Sequence, residues 1–292
     1  MRFWRYMHGP RTTWLCGIIM ACLAGGCSEL ILEPEYRFLP REQPYQYSDL
    51  DWAQVLRQHV RGGLVDYAAL AGNRDPFDRY IALLSVTGPT ETTQQFATRE
   101  QRAAYWLNAY NALVVRAVLH WYPVGTMHDM NMPRLESDYQ FRIDGRKMSL
   151  LAIEEEILKE SSNDPRIYLA TCRASLGTPG LPAEPFQASN LERQLAAAAA
   201  AALDNPNLLQ VDHSRRTILL GQIILSRQAD FVNFLRARRR GSTMYLYNVL
   251  VELASPAQRR VLQGAVGYTL REIPFDRRIN DTATTKDMSV VP

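Results

Sequence analysis

One segment constrains this chain more than any other. Between Arg99 and Trp121, Ala103, Ala104, Leu107, Tyr110, Asn111, Val114, Val118 and Trp121 recur at intervals of three and four, and Pro123 ends the pattern. This is the longest and most regular helix the sequence predicts. Asn108 and Asn111 stand on it among Trp, Leu, Tyr and Val, where an amide is costly to bury unless hydrogen-bonded. They either fasten backbone loops or line a pocket.

Other elements are shorter. Asp49 or Asp51 caps a helix over about 50–59, and Gly62-Gly63 stops it. Val65, Tyr67 and Leu70 begin a second element, and a helix around 76–85 ends before Gly88-Pro89. YQFRIDGRKMSL reads as a hairpin turning at Asp144-Gly145, after which Ser149 caps a helix over 150–160. IYLATC, after Asp164-Pro165-Arg166, is strand-like and breaks at Gly177, Pro179, Gly180 and Pro182. Further helices are expected over 189–203, 230–240 and 242–254 and after Pro256, with a hairpin around Val211 and Ile218. The end of the chain reads as strand or loop and then a loose tail. Helices outnumber strands and strands come in separated pairs, which is an α+β pattern: a single, mainly helical domain over about 49–280, followed by a tail over 281–292.

The first residues read as an address. Arg2, Arg5 and Arg11 precede an apolar run from Trp14 to Leu23 that closes on small residues, as in a signal peptide over 1–26. The run is short against the roughly 20 apolar residues a spanning anchor needs, which makes a retained anchor the weaker reading beside lipidation and plain secretion. Leu23-Ala24-Gly25-Gly26-Cys27 resembles a bacterial lipoprotein processing box, with Ala24 where a large aliphatic residue is usual. The resemblance implies cleavage before Cys27, lipid on its sulfur, a tether over 27–48, and a periplasm-facing protein held to the membrane; Ser28, not an aspartate, favours the outer one.

The whole chain has 33 basic and 30 acidic residues. Cleavage removes three arginines and no acid, so the mature balance is neutral and suggests no nucleic-acid partner. Cys16 and Cys22 fall in the signal and Cys27 is the lipidation site, which leaves Cys172 as the one cysteine of the body. Such a chain is not disulfide-built. The thiol is either inert packing or a kept nucleophile.

GLVDYAAL (63–70), YWLNAYNAL (105–113), the Trp121-Tyr122-Pro123 end, FRIDGRKMSLLAIEEEIL (141–158) and DPRIYLA (164–170) together resemble the bacterial family DUF547, over roughly 60–280. The resemblance implies a divergent papain-like or transglutaminase-like fold, loosely related to cysteine hydrolases. The family's histidine falls on Tyr168, its cysteine before Ala-Ser on Arg173, and its later cysteine on Thr178, so all three are replaced here. Cys172 lies one place early, and in a strand that slip turns a side chain to the other face. Asn108, Asn111, Glu154, Arg166, Ala174-Ser175 and Pro179 match the family pattern.

The candidates divide accordingly. Asn108, Asn111, Glu154, Arg166, Tyr168 and Arg173 are expected in or beside the old cleft. Glu154 is expected near a helix N-terminus or paired with an arginine such as Arg166. Arg173, in an apolar run, needs a carboxylate, with Glu154 the first choice and Asp129 the second. Catalysis, as the alternative, would use Cys172 with His128 or His213; His120 reads as a helix-end residue. His120, His128 and Asp129 lack the spacing of a metal site, so neither metal nor cofactor is expected. The cluster Arg236, Arg238, Arg239, Arg240 reads as a solvated face. The function expected is non-catalytic binding or scaffolding, with an envelope protein, a peptide or a cell-wall component as partner; the alternative is a cysteine hydrolase or acyl or peptidyl transferase.

Overall fold

The computed structural model describes residues 31–130, 136–239 and 243–286. The signal segment, Cys27, Arg240 and the last six residues lie outside them, so the expectations placed there have no structural counterpart.

The long helix is present at its expected bounds. Helix α4 runs Arg99–Trp121, opened by a capping box in which the Thr98 hydroxyl accepts from Gln101 N and the Gln101 side chain accepts from Thr98 N. Every residue from Ala103 to Val115 is buried, as are Ala117, Val118 and Leu119, so α4 is covered almost all round. It packs most extensively on α5 (Leu150–Glu160), which Ser149 caps through Ala152 N.

Around this pair the chain adds α1 (Leu50–His59), α2 (Tyr67–Gly72, capped by Asp66) and α3 (Asp75–Val86). Trp52 stacks on Tyr80 where α1 meets α3. A second group comprises α7 (Leu191–Asp204), α8 (Gln222–Ser226), α9 (Gln228–Arg238), α10 (Leu246–Leu253) and α11 (Pro256–Gln263). Among the described residues no helix is long and apolar enough to cross a membrane.

The sheets are small. Strand β4 (Gln140–Ile143) pairs antiparallel with β5 (Arg146–Met148) across the expected Asp144-Gly145 turn, where both residues have positive φ. The Asp144 carboxylate accepts from Thr90 N and Glu91 N, which ties this turn to the end of α3. Strand β1 (Ile31–Leu32) lies parallel to β4, so the stretch expected as a tether begins inside a sheet. Tyr47, further along it, packs on Phe96 and Tyr105. Strands β2 (Val60–Arg61) and β3 (Leu64–Val65) flank Gly62-Gly63. The hairpin β6 (Leu209–Asp212) and β7 (Thr217–Leu220) was expected; β8 (Thr269–Glu272), parallel to β7, was not.

Two expectations need correction. IYLATC is not a strand: Ile167–Ala170 is one short helical turn, α6, and Thr171 to Arg173 leave it irregularly. The Thr171 amide and hydroxyl both bond to Ile167 O, which closes a turn, and among the described residues no strand pairs with this segment. The face-alternation argument for Cys172 therefore does not apply. The expected tail over 281–292 is also partly structured. Residues 276–281 bridge three separate segments, with Val65 of β3 paired to Asp281, Thr126 to Arg278 and Ser175 to Ile279, and α12 (Thr282–Lys286) follows.

Candidate functional site

The two asparagines of α4 act alike. Asn108 donates to Phe186 O at 2.9 Å and accepts from Phe186 N at 2.8 Å. Asn111 donates to Ala170 O at 3.1 Å and accepts from Cys172 N at 2.8 Å. Each amide thus replaces a missing backbone partner for one residue or one turn, fully inside the protein. Three residues apart on α4, they fasten the two ends of the segment from Ala170 to Phe186.

Arg173 does find Glu154. Its guanidinium bonds both Glu154 and Glu136, and the other Glu154 oxygen accepts from Arg227 at 3.2 Å. Glu154 is buried, so the two arginines hold a charge that would be costly alone. The Arg227 guanidinium also lies 4.4 Å from the centroid of the Tyr168 ring, and Arg173 lies 6.0 Å from that of Tyr110. Tyr168 is buried and packs on Phe231; burial pushes its phenol up from the usual value. Tyr168 and Arg173 therefore share one packed, ion-paired cluster.

Arg166 takes different partners from those expected. Its guanidinium bonds Asp164 and, on α7, Glu192. The Arg166 chain is buried two residues beyond Asp164, within easy fork geometry, and Glu154 is occupied by Arg173 and Arg227. Asp129, the second choice for Arg173, instead accepts from the amide and hydroxyl of Thr126.

Cys172 is fully buried. Ala174 N lies 3.4 Å from its sulfur and Asn280 Nδ2 lies 3.3 Å away, and burial pushes the thiol up to about 11. His128 is an exposed loop residue, and His213 Nδ1 is 3.1 Å from the Tyr268 hydroxyl at the edge of β8. His120 packs edge-on against Trp121 at the end of α4, and burial lowers its proton affinity. Among the described residues no group of three His, Cys, Asp or Glu is placed to hold a metal ion.

Asn280 carries no sequence signal of its own and is central here. Its Oδ1 accepts from the Tyr67 hydroxyl at 3.0 Å, and its Nδ2 reaches both Gly63 O and the Cys172 sulfur. Its backbone bonds Ala174 O and Val65 N. One residue near the end of the chain thus joins the β2–β3 turn, α2 and the segment after α6.

That junction forms one end of a cavity of about 920 Å³. The loop 175–186 walls one side, α7 walls another with Ala197, Ala198, Ala201 and Ala202, and Gly63 with Gly180 closes a third. The two glycines touch through their backbones: a Cβ on Gly180 would come within 2.7 Å of Gly63 Cα, and Gly63 has a φ of +84°. Thr178, where the resemblance places the family's later cysteine, lines this cavity, and so do Ser175 and Asn280. Sequence reading missed the α7 wall, since a run of alanines predicts a helix and nothing about what its exposed face borders.

No curated protein and no solved structure matches the chain. Residues 94–201, which hold both asparagines, the Glu154–Arg173 pair, Cys172 and most of the cavity wall, match the sequence model of the family described as Protein of unknown function, DUF547, and the match supports the family indicated by the motifs.

Proposed function

We propose that this chain is a non-catalytic binding domain of the cell envelope, derived from a cysteine-hydrolase-like ancestor and held to a membrane by lipid on Cys27. The cavity carries this reading. Its volume lies in the range of ligand sites, about 300–1,000 Å³, and among its lining residues there is neither a histidine nor a cysteine. The positions where the family carries chemical groups hold Tyr168, Arg173 and Thr178, which are engaged in packing, ion pairs and a hydrogen bond. Cys172 lies behind Asn280 with its thiol firmly protonated at neutral pH.

The lipid anchor rests on the processing box, and β1 gives it a geometric consequence. Three residues separate Cys27 from Ile31, so even a fully extended connection would keep the start of β1 within about 14 Å of the Cys27 Cα. The domain would be held close to the bilayer on its β1 side, where Arg142 pairs with Glu33.

Two measurements test the reading. Membrane fractionation of the full chain against Cys27→Ala should show the variant released to the soluble fraction. Native mass spectrometry of the purified full chain should find a co-purifying molecule, kept by Cys172→Ala and lost on Ala201→Trp, which fills the cavity. A covalent adduct on Cys172, or loss of the molecule in Cys172→Ala, would overturn the non-catalytic reading in favour of a cysteine hydrolase or transferase.

A further inference from the structure

The cavity also carries information about what fits it. Three buried polar side chains line it, and each has already committed its donors within the protein. The Ser175 hydroxyl donates to Asp276 O and accepts from Gly177 N. The Thr178 hydroxyl donates to Ser175 O at 2.8 Å. Both Asn280 amide hydrogens have acceptors, in Gly63 O and the Cys172 sulfur. Most of the remaining surface is apolar, from Leu169, Leu176, Leu181, Phe186 and the α7 alanines, and the side-chain amides of Gln194, Asn205 and Asn207 also border it.

Charged side chains border the cavity without pointing to an ion site. Arg278 is neutralised by Asp276, Asp204 accepts from Ser255, and Glu184 is exposed. A ligand that brought polar groups against Ser175, Thr178 or Asn280 would find no side-chain donor free there, and would leave its own groups unpaired. A ligand whose buried part is hydrocarbon loses nothing. The volume, near the upper end of the range for ligand sites, suits a long chain better than a small solute.

We propose that the cavity takes a linear aliphatic chain, such as the acyl chain of a fatty acid or lipid, with its polar end left at the rim beside Asn207. This deepens the binding reading above and rests on it. Alanine at four adjacent positions of α7 keeps that wall low and smooth, and the Gly63–Gly180 contact lets the opposite wall approach without side chains. Ala197 and Ala201 are exposed in the cavity mouth, so larger residues there occupy its space without displacing packed core.

The test is photolabelling of the full chain, reconstituted in phosphatidylcholine vesicles, with a sixteen-carbon fatty acid carrying a diazirine in its chain. A photo-leucine tetrapeptide serves as the parallel probe, and labelled residues are located by peptide mass spectrometry. The fatty acid should label residues within 176–186 and 194–207, and Ala201→Trp and Ala197→Trp should each cut that labelling at least tenfold with an unchanged melting temperature. Leu151→Trp, on the exposed face of α5, should leave it unaltered. Labelling of the cavity by the tetrapeptide alone overturns the aliphatic assignment and keeps the binding reading. Labelling by neither probe, or fatty-acid labelling indifferent to both tryptophans, overturns the assignment of the cavity itself.

Discussion

The segment from Asp164 to Phe186 serves two regions with opposite chemistry. One set of its side chains enters ion pairs, Arg166 with Asp164 and Glu192, and Arg173 with Glu136 and Glu154. The other set, Leu169, Ser175, Leu176, Thr178 and Phe186, lines a cavity, with the Ser175 and Thr178 hydroxyls turned away to backbone carbonyls. The charged residues that look most chemical in the sequence hold the segment's shape, and the residues that look ordinary make the surface a ligand would meet. Asn111 fastens the segment at Ala170 and Cys172, and Asn108 fastens its end at Phe186.

The largest expected effect breaks the charged side. Glu154→Ala removes the buried carboxylate between Arg173 and Arg227; Arg173 keeps Glu136 and Arg227 reaches solvent, so the cost in urea unfolding should be about 3 kcal/mol, the low end for a broken buried pair. Adding Arg173→Met should recover part of that loss; a single variant within 1 kcal/mol of the parent would mean the network does not fix the segment.

Next come the asparagines, which separate the two regions. Asn111→Ala leaves Cys172 N and Ala170 O without partners, at about 1–3 kcal/mol for each buried group. Asn108→Ala should cost a similar amount and, because Phe186 lines the cavity, should also weaken fatty-acid labelling, whereas Asn111→Ala should leave labelling less affected. Equal effects of both on labelling would show that the two regions are not separable.

The thiol gives a pH signature. Its folded-state value is raised, so its contribution is fully present below about pH 9, where the thiol of the unfolded chain begins to ionise, and is lost as pH rises through about 11. The loss over that interval is about 3 kcal/mol. The slope of stability between pH 9 and 11 should flatten in Cys172→Ala, a comparison in which the buried tyrosines cancel. Iodoacetamide at pH 8 should modify the parent only after unfolding; fast modification of the folded protein would restore the nucleophile reading.

The smallest effect concerns the cavity's glycine wall. Gly180→Ala places a Cβ 2.7 Å from Gly63 Cα, backbone against backbone, and should cost about 1–3 kcal/mol while narrowing the cavity. Calorimetry with fatty-acid labelling on the same sample reads both consequences.

Local pattern was legible wherever one element could satisfy itself. The bounds of α4, the Asp144-Gly145 turn and the Ser149 cap follow from periodicity, turn chemistry and a hydroxyl near its own helix. Arg173 also announced its need for a carboxylate, because a guanidinium in an apolar run must be paired. IYLATC failed for the complementary reason: its apolar run suits a buried strand or a buried helical turn equally, and only the presence or absence of a neighbouring strand decides.

Sequence alone thus determined the helical framework, the buried amides of α4 and the demand for a partner at Arg173, since spacing, desolvation and hydrogen-bond capacity are properties of the residues themselves. Tertiary structure decided which carboxylates answered Arg166 and Arg173, that Asn280 would reach Tyr67, Gly63 and Cys172, and that alanines of α7 would face Gly63 and Gly180 across a cavity. Those outcomes depend on how segments from about twenty to more than two hundred residues apart close on one another, and contacts at that range are set by the packing of the whole core.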